Sequence, residues 1–143
     1  MPVHEGLADR VAIQDVLVRY AHCMDTRDWD LLRDQVFIEA CAVNYPGALL
    51  LEGVDKVWRY CERALRPFDA TQHLLGNYDI QVDGDRATSV CRLQAAHIAQ
   101  TGDGDLVFTL GGNYTDEFVR TPGGWRIARR TLTTEWTETT GPS

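Results

Sequence analysis

At 143 residues the chain reads as one domain, 1–143, long enough to bury a core, and its 44% hydrophobic and 24% charged content is that of a soluble globular protein. A net charge of −7 argues against nucleic acid or an anionic membrane as partner, and no apolar run approaches the roughly 20 residues a bilayer span needs. The first ten residues carry no basic stretch followed by an apolar one, so they read as no signal peptide. Four scattered cysteines (Cys23, Cys41, Cys61, Cys91) without a CxxC pair read as reduced core thiols of a cytoplasmic protein, not a zinc site.

The first half has helical periodicity. Val11, Ile13, Val16, Leu17, Tyr20, Ala21 and Met24 recur at three- and four-residue spacing, and Asp9 can cap the start of that helix. Asp28 fits as the cap of a short second helix through Trp29, Leu31, Leu32 and Val36. A strand pair follows, Cys41 to Tyr45 and Leu49 to Glu52, turned at Pro46-Gly47. Gly53 to Leu65 reads as a third helix with Val54, Val57, Trp58, Cys61 and Leu65 on one face, stopped by Pro67.

The second half reads as sheet. Thr71 to Val82 is a strand with a kink expected at Gly76, and Asp83-Gly84-Asp85 is the hairpin turn after it. Arg86 to Gln100, Leu106 to Thr121 and Trp125 to Trp136 are the remaining strands, separated by Gly-rich turns, and Thr137 to Ser143 reads as a frayed tail. Three helices followed by long antiparallel strands make an α+β fold. Such a sheet twists and curls, so the expected form is a cone-shaped sheet, largely antiparallel, wrapped around a pocket lined by its inner face and the first helix.

Two residues carry the chemistry. His73 lies in an alternating strand with Thr71 and Leu75, and Asp25 lies near the end of the first helix. A histidine near neutrality and a carboxylate that orients it are the minimal parts of a general base. From the residues alone, Asp25 is either a solvated helix-end carboxylate or the partner of a buried group. His73 is either a structural histidine or that base. His97 shares a strand face with Leu93 and Ala95, which suggests the cone interior, or else it sits at the rim. His22 reads as partly exposed on the helix and His4 as part of a flexible start. Tyr45 and Tyr114 are strand tyrosines able to polarise a carbonyl or bind a departing hydroxyl. Arg129 alternates with Trp125, Ile127 and Thr131. The inward reading of that face is preferred, with Arg126 and Arg130 turned the other way. The Gly-x-Gly runs at Gly102 and Gly111-Gly112 open no helix and carry no nucleotide signal.

The runs Tyr20 to Asp30, Asn44-Tyr45, Thr71-Gln72-His73, Gly112 to Phe118 and Gly124 to Ile127 resemble the SnoaL-like branch of the cystatin-like cone fold shared with nuclear transport factor 2. The resemblance spans nearly the whole chain and implies that fold. The superfamily hosts isomerases, dehydratases, cyclases, hydrolases and non-catalytic binders, so it implies no single chemistry. In polar positions the chain is most similar to the scytalone dehydratases, whose aspartate, tyrosine and two histidines match Asp25, Tyr45, His73 and His97. The tyrosine before the family aspartate is Met24 here, and the family's strand asparagine is matched by Tyr114, with Asn113 beside it. The hexachlorocyclohexane dehydrochlorinases have a similar His–Asp dyad and an arginine, matching His73, Asp25 and Arg129. Their first-helix lysine is Tyr20 here, which loses a cationic site for a departing halide.

Both groups catalyse β-elimination. The resemblance therefore implies a metal- and cofactor-independent lyase of dehydratase type, acting on a small hydrophobic cyclic, polyketide, terpenoid or steroid-like molecule. An isomerase or cyclase using the same base, or a binding module without turnover, are the alternatives. A homo-oligomer is expected, because a cone sheet leaves its outer face partly apolar, and the resemblance implies a trimer or dimer.

Overall fold

The structure is a computed structural model that describes residues 3–142, with side chains from Gly6 onward. The start read for His4 therefore concerns a side chain outside the described residues. Three helices, α1 (Val3–Thr26), α2 (Trp29–Gln35) and α3 (Val54–Leu65), accompany six strands: β1 (Phe37–Asn44), β2 (Leu51–Glu52), β3 (Ala70–Asp83), β4 (Arg86–Thr101), β5 (Gly104–Thr121) and β6 (Gly124–Thr140). The strands form one sheet in the order β2-β1-β6-β5-β4-β3. β1 pairs with β6 in parallel and every other pairing is antiparallel. This is the α+β arrangement expected from the two periodicities.

The local reasons are legible element by element. Asp28 caps α2 by accepting the Leu31 amide at 3.1 Å. α3 buries Val54, Val57, Cys61 and Leu65 along one side, with Trp58 half-buried beside them. Each fully buried aliphatic side chain of this kind contributes roughly 1.5–3 kcal/mol. β4 alternates with little interruption, burying Ala87, Ser89, Cys91, Leu93, Ala95 and His97 on its inner face. α1 lies across that inner face and packs on β3 and β6. Among the described residues no helix is long and apolar enough to cross a membrane.

Three sequence expectations change. α1 begins at Val3, so Asp9 lies within the helix and does not cap it. Its carboxylate instead accepts two bonds from Arg120, at 2.8 and 3.0 Å, and one from the Trp125 indole at 3.1 Å, tying the helix to the ends of β5 and β6. β6 does not end at Trp136. Residues 137 to 140 pair with Leu110 to Val107, so most of the expected frayed tail is strand, held by a ladder whose partner runs its full length. β1 starts earlier than expected, at Phe37, because it has β6 as a parallel neighbour as well as the short β2.

Bulges curl the sheet. β3 and β4 shift register between Gly76 and Asp79, where the kink was expected, and Asn77 there has φ 51°. β5 and β6 shift twice, between Gly111 and Gly112 and between Glu117 and Phe118. At the first shift a Cβ on Gly111 would lie 2.1 Å from the Trp136 indole, and one on Gly112 would lie 2.1 Å from the Thr133 carbonyl oxygen. Only glycine lets the strands approach this closely.

Candidate active site

α1, α3 and the inner face of β3 to β6 enclose a cavity of about 250 Å³. Most of its wall is apolar, contributed by residues such as Met24, Leu65, Phe68, Leu93, Phe108 and Leu110. The polar side chains are few: besides Thr134 on β6 they lie in two groups, His73 and His97, and the tyrosines Tyr20, Tyr45, Tyr60 and Tyr114 near Cys61.

The first group is built by the end of α1 meeting the start of β3. Asp25 is in the last turn of the helix, and His73 donates its Nδ1–H to Asp25 Oδ1 at 2.7 Å. The His73 backbone amide donates to Oδ2 at 3.0 Å, and the Thr71 hydroxyl donates to Oδ1 at 3.1 Å. Burial works against the Asp25 charge. The hydrogen bonds from the His73 ring, the His73 amide and Thr71 outweigh it and hold the carboxyl below its ordinary value. With Nδ1 committed as donor, Nε2 of the neutral ring is the nitrogen with a free lone pair. The His73 side chain is 7% exposed.

His97 completes this end. Its ring sits 5.8 Å from that of His73 and is flanked by Phe68 and Phe108 at 5.1 and 5.3 Å. It lines the cavity and is buried, so the interior reading holds over the rim reading. Nδ1 lies 3.0 Å from the Phe108 carbonyl oxygen, which can only accept, so Nδ1 carries the proton and Nε2 is an acceptor. Burial holds the His97 value below its ordinary range, with the nearby His73 and Arg27 acting in the same direction and the Phe108 carbonyl opposing them. His97 is therefore a neutral acceptor at neutral pH. His22 is exposed on α1, away from the cavity.

The second group is a set of phenols. Tyr20 and Tyr45 share a hydrogen bond of 2.6 Å between their hydroxyl oxygens, and Tyr45 lies 3.4 Å from Cys61 Sγ. Tyr114 packs edge-on against Tyr20, ring centroids 5.4 Å apart, and Tyr60 stacks on Tyr45 at 5.1 Å. Burial raises Tyr20, Tyr45 and Tyr114 above the ordinary tyrosine value, so they act as neutral hydrogen-bond donors. Burial likewise pushes the Cys61 thiol up to about 11, which keeps it protonated.

Two expected site residues are elsewhere. Arg129 is exposed on the outer face, 3.3 Å from Glu117. The bulge opposite Glu117 and Phe118 inserts Ala128 as an extra residue in β6, and a one-residue slip reverses which side chains face inward. Arg130 takes the interior position instead and is fully buried. It donates Nε and Nη2 to Asp116 at 2.7 and 2.9 Å, and its guanidinium lies over Tyr20 and Tyr114 at 4.1 and 3.8 Å from the ring centres. Burial disfavours its charge, but the Asp116 carboxylate overrides this and holds Arg130 above its ordinary value. Asn113 also faces away from the cavity and donates to Glu135 at 2.6 Å, alongside Arg92.

Arg130 and Asp116 were missed from the sequence. One signal was available: Gly112, Tyr114, Asp116 and Phe118 alternate, so an acid shares an apolar face with two aromatics and needs a cation. The bulge that supplies the cation has no comparable signal.

Comparison with known proteins agrees with this architecture. Residues 5–131 match the SnoaL-like domain family. Rv2910c of Mycobacterium tuberculosis is 38% identical over 133 residues, covering 89% of this chain and 86% of its own. Terrestric acid biosynthesis cluster protein E of Penicillium crustosum is 30% identical over 139 residues, 92% of this chain and 86% of that one. Among solved structures, a Novosphingobium aromaticivorans protein provisionally named a scytalone dehydratase superposes with a TM-score of 0.82 at 26% identity, covering 96% and 91% of the two chains. A hexachlorocyclohexane dehydrochlorinase shares the fold at TM-score 0.83 and 19% identity, covering 94% and 90%. The matched residues span most of the chain, and its curled sheet superposes on both solved structures, so this chain belongs to the SnoaL-like domain family.

Proposed function

We propose that the protein is a cofactor-independent lyase that removes water from a small hydrophobic cyclic substrate by β-elimination, with His73 as general base and Asp25 as its orienting partner. The observation that carries this reading is the 2.7 Å bond from His73 Nδ1 to Asp25 in the wall of an otherwise apolar cavity. It leaves Nε2 to take a proton from carbon next to an activating carbonyl, and it lets Asp25 stabilise the imidazolium that forms.

The other polar groups suit the rest of the reaction. Tyr20 and Tyr45 share one hydrogen bond, which leaves one hydroxyl proton of the pair to polarise the carbonyl or bind the departing hydroxyl, and Tyr114 lies beside them. His97 Nε2 can accept from a substrate hydroxyl. Arg130 is neutralised by Asp116, so the cavity offers a departing group phenols rather than a free cation. That favours loss of water over loss of halide. An apolar cavity of about 150 Å³ holds benzene, so about 250 Å³ suits a substituted one- or two-ring molecule. The provisional name of the N. aromaticivorans protein and the biosynthetic cluster of the P. crustosum protein support small-molecule chemistry of this kind.

The test is to incubate the protein in deuterium oxide with a panel of small cyclic β-hydroxyketones, reading the conjugated product by absorbance and mass. Wild type should form the dehydrated product and His73→Ala should not. Deuterium uptake into a rearranged product without loss of water would make the protein an isomerase using the same base. Ligand binding with neither reaction would make it a carrier.

A further inference from the structure

Helix α1 ends in a way that glycine usually permits and this chain achieves with arginine. Arg27 follows the last helical residue with φ 62°, in the left-handed region, and the Asp28 amide reaches back to the Cys23 carbonyl at 3.1 Å. That six-to-one closure is the ending in which the left-handed position is most often glycine. A side chain kept where its absence is easier points to a use for it.

The use is visible in the contacts. Arg27 Nη1 donates to Thr71 Oγ1 at 2.8 Å and also to the Met24 carbonyl, and Nη2 lies 3.5 Å from the Phe68 carbonyl. A guanidinium only donates. Thr71 must therefore accept from Arg27, and its single proton is left for Asp25 Oδ1, 3.1 Å away. Oδ1 receives this bond and the one from His73 Nδ1, while Oδ2 receives the His73 amide. The carboxylate is thereby held by three donors from the start of β3, one of them aimed by Arg27.

We infer that Arg27 is a positioning residue: acting through the Thr71 hydroxyl, it fixes the rotation of the Asp25 carboxylate and so the ring of His73. The inference rests on the reading of His73 and Asp25 as the base pair. Arg27 does not line the cavity. The charged and titratable groups that face Asp25 are His73 from β3 and Arg27 from the turn after α1, with His97 of β4 behind His73.

The experiment follows the Asp25 side-chain carboxyl by carbon NMR through an acid titration of the intact protein, which needs no substrate. The proteins are wild type, Arg27→Gly, Thr71→Val, Thr71→Ser and the Arg27→Gly/Thr71→Val double variant. Arg27→Gly suits the left-handed backbone, so the fold is retained. The Asp25 midpoint should rise by about one unit in Thr71→Val, which removes the Thr71 hydrogen bond to the charged carboxylate, and in Arg27→Gly, which frees that hydroxyl to rotate away from it. Thr71→Ser should restore the wild-type midpoint, and the double variant should move no further than either single. An unchanged midpoint in Arg27→Gly overturns the inference. A double variant that shifts by the sum of the two singles also overturns it, because Arg27 would then act by charge and not through Thr71. Failure of the base reading is a separate result, seen as full turnover by His73→Ala with these midpoints unaffected.

Discussion

Arg130 and Asp116 meet across β6 and β5 in a two-bond contact at full burial, with the Arg130 guanidinium also lying over the rings of Tyr20 and Tyr114. The pair underlies the phenol end of the cavity. Arg130 packs on the rings of Tyr20 and Tyr114, while the two charges of the pair cancel close to the site.

Removing one partner leaves an unpaired buried charge. Asp116→Ala should destabilise the protein by roughly 3–5 kcal/mol, whereas an Asp116→Leu/Arg130→Met double variant should recover most of that loss. Urea denaturation followed by circular dichroism reads both. A double variant no more stable than Asp116→Ala would mean that the ring contacts of Arg130, and not its charge, hold the region together.

His73→Ala should reduce kcat on a turned-over hydroxyketone by about 10²–10⁴ and leave the folded fraction unchanged at room temperature. Asp25→Asn keeps the outline of the carboxylate but loses its charge, and it can hold the wrong tautomer of His73, so a loss of similar size is expected. Steady-state kinetics on both variants decide this. An Asp25→Asn protein as active as wild type would remove the pair from the mechanism.

Gly111→Ala should lower the unfolding midpoint, because its Cβ would fall 2.1 Å from the Trp136 indole. Overpacking of this kind costs typically about 1–3 kcal/mol. Trp136→Ala in the same chain removes the clash, so the double variant should lose less than the sum of the singles. Thermal unfolding of the four proteins makes the comparison.

Stability should fall with pH in two steps. His97 has a folded value below its ordinary 6.5, so the folded state resists its protonation. Its contribution is complete above that ordinary value and is lost as pH falls through the folded value. Asp25 is likewise depressed below its ordinary 3.8, so its contribution is complete above 3.8 and is lost at lower pH still. Urea midpoints measured from neutral to acid pH should decline accordingly. His97→Gln should flatten the upper part of the decline and Asp25→Asn the lower part. A His97→Gln curve parallel to wild type throughout would assign the upper step to another group.

Local pattern alone determined the order of elements and most of the inner faces. Three- and four-residue spacing marks α1, the Asp28 cap marks α2, and the alternation of Ala87 to His97 marks β4 as half-buried. The resemblance drew Asp25 and His73 together from positions 48 residues apart. What the sequence left open is what depends on partner strands. Arg129 and Arg130 are adjacent and chemically alike, and which of them enters the cone turns on whether Ala128 is bulged, a matter decided by how β6 hydrogen-bonds to β5. Asp9 reads as a helix cap until Arg120 and Trp125, more than a hundred residues later, claim its carboxylate. Nothing in the sequence singles out Arg27, and it is the left-handed end of α1 that aims it at Thr71. A side-chain period is a local property of the chain, but a register shift or a distant hydrogen bond exists only between two segments, and only the tertiary structure brings those segments together.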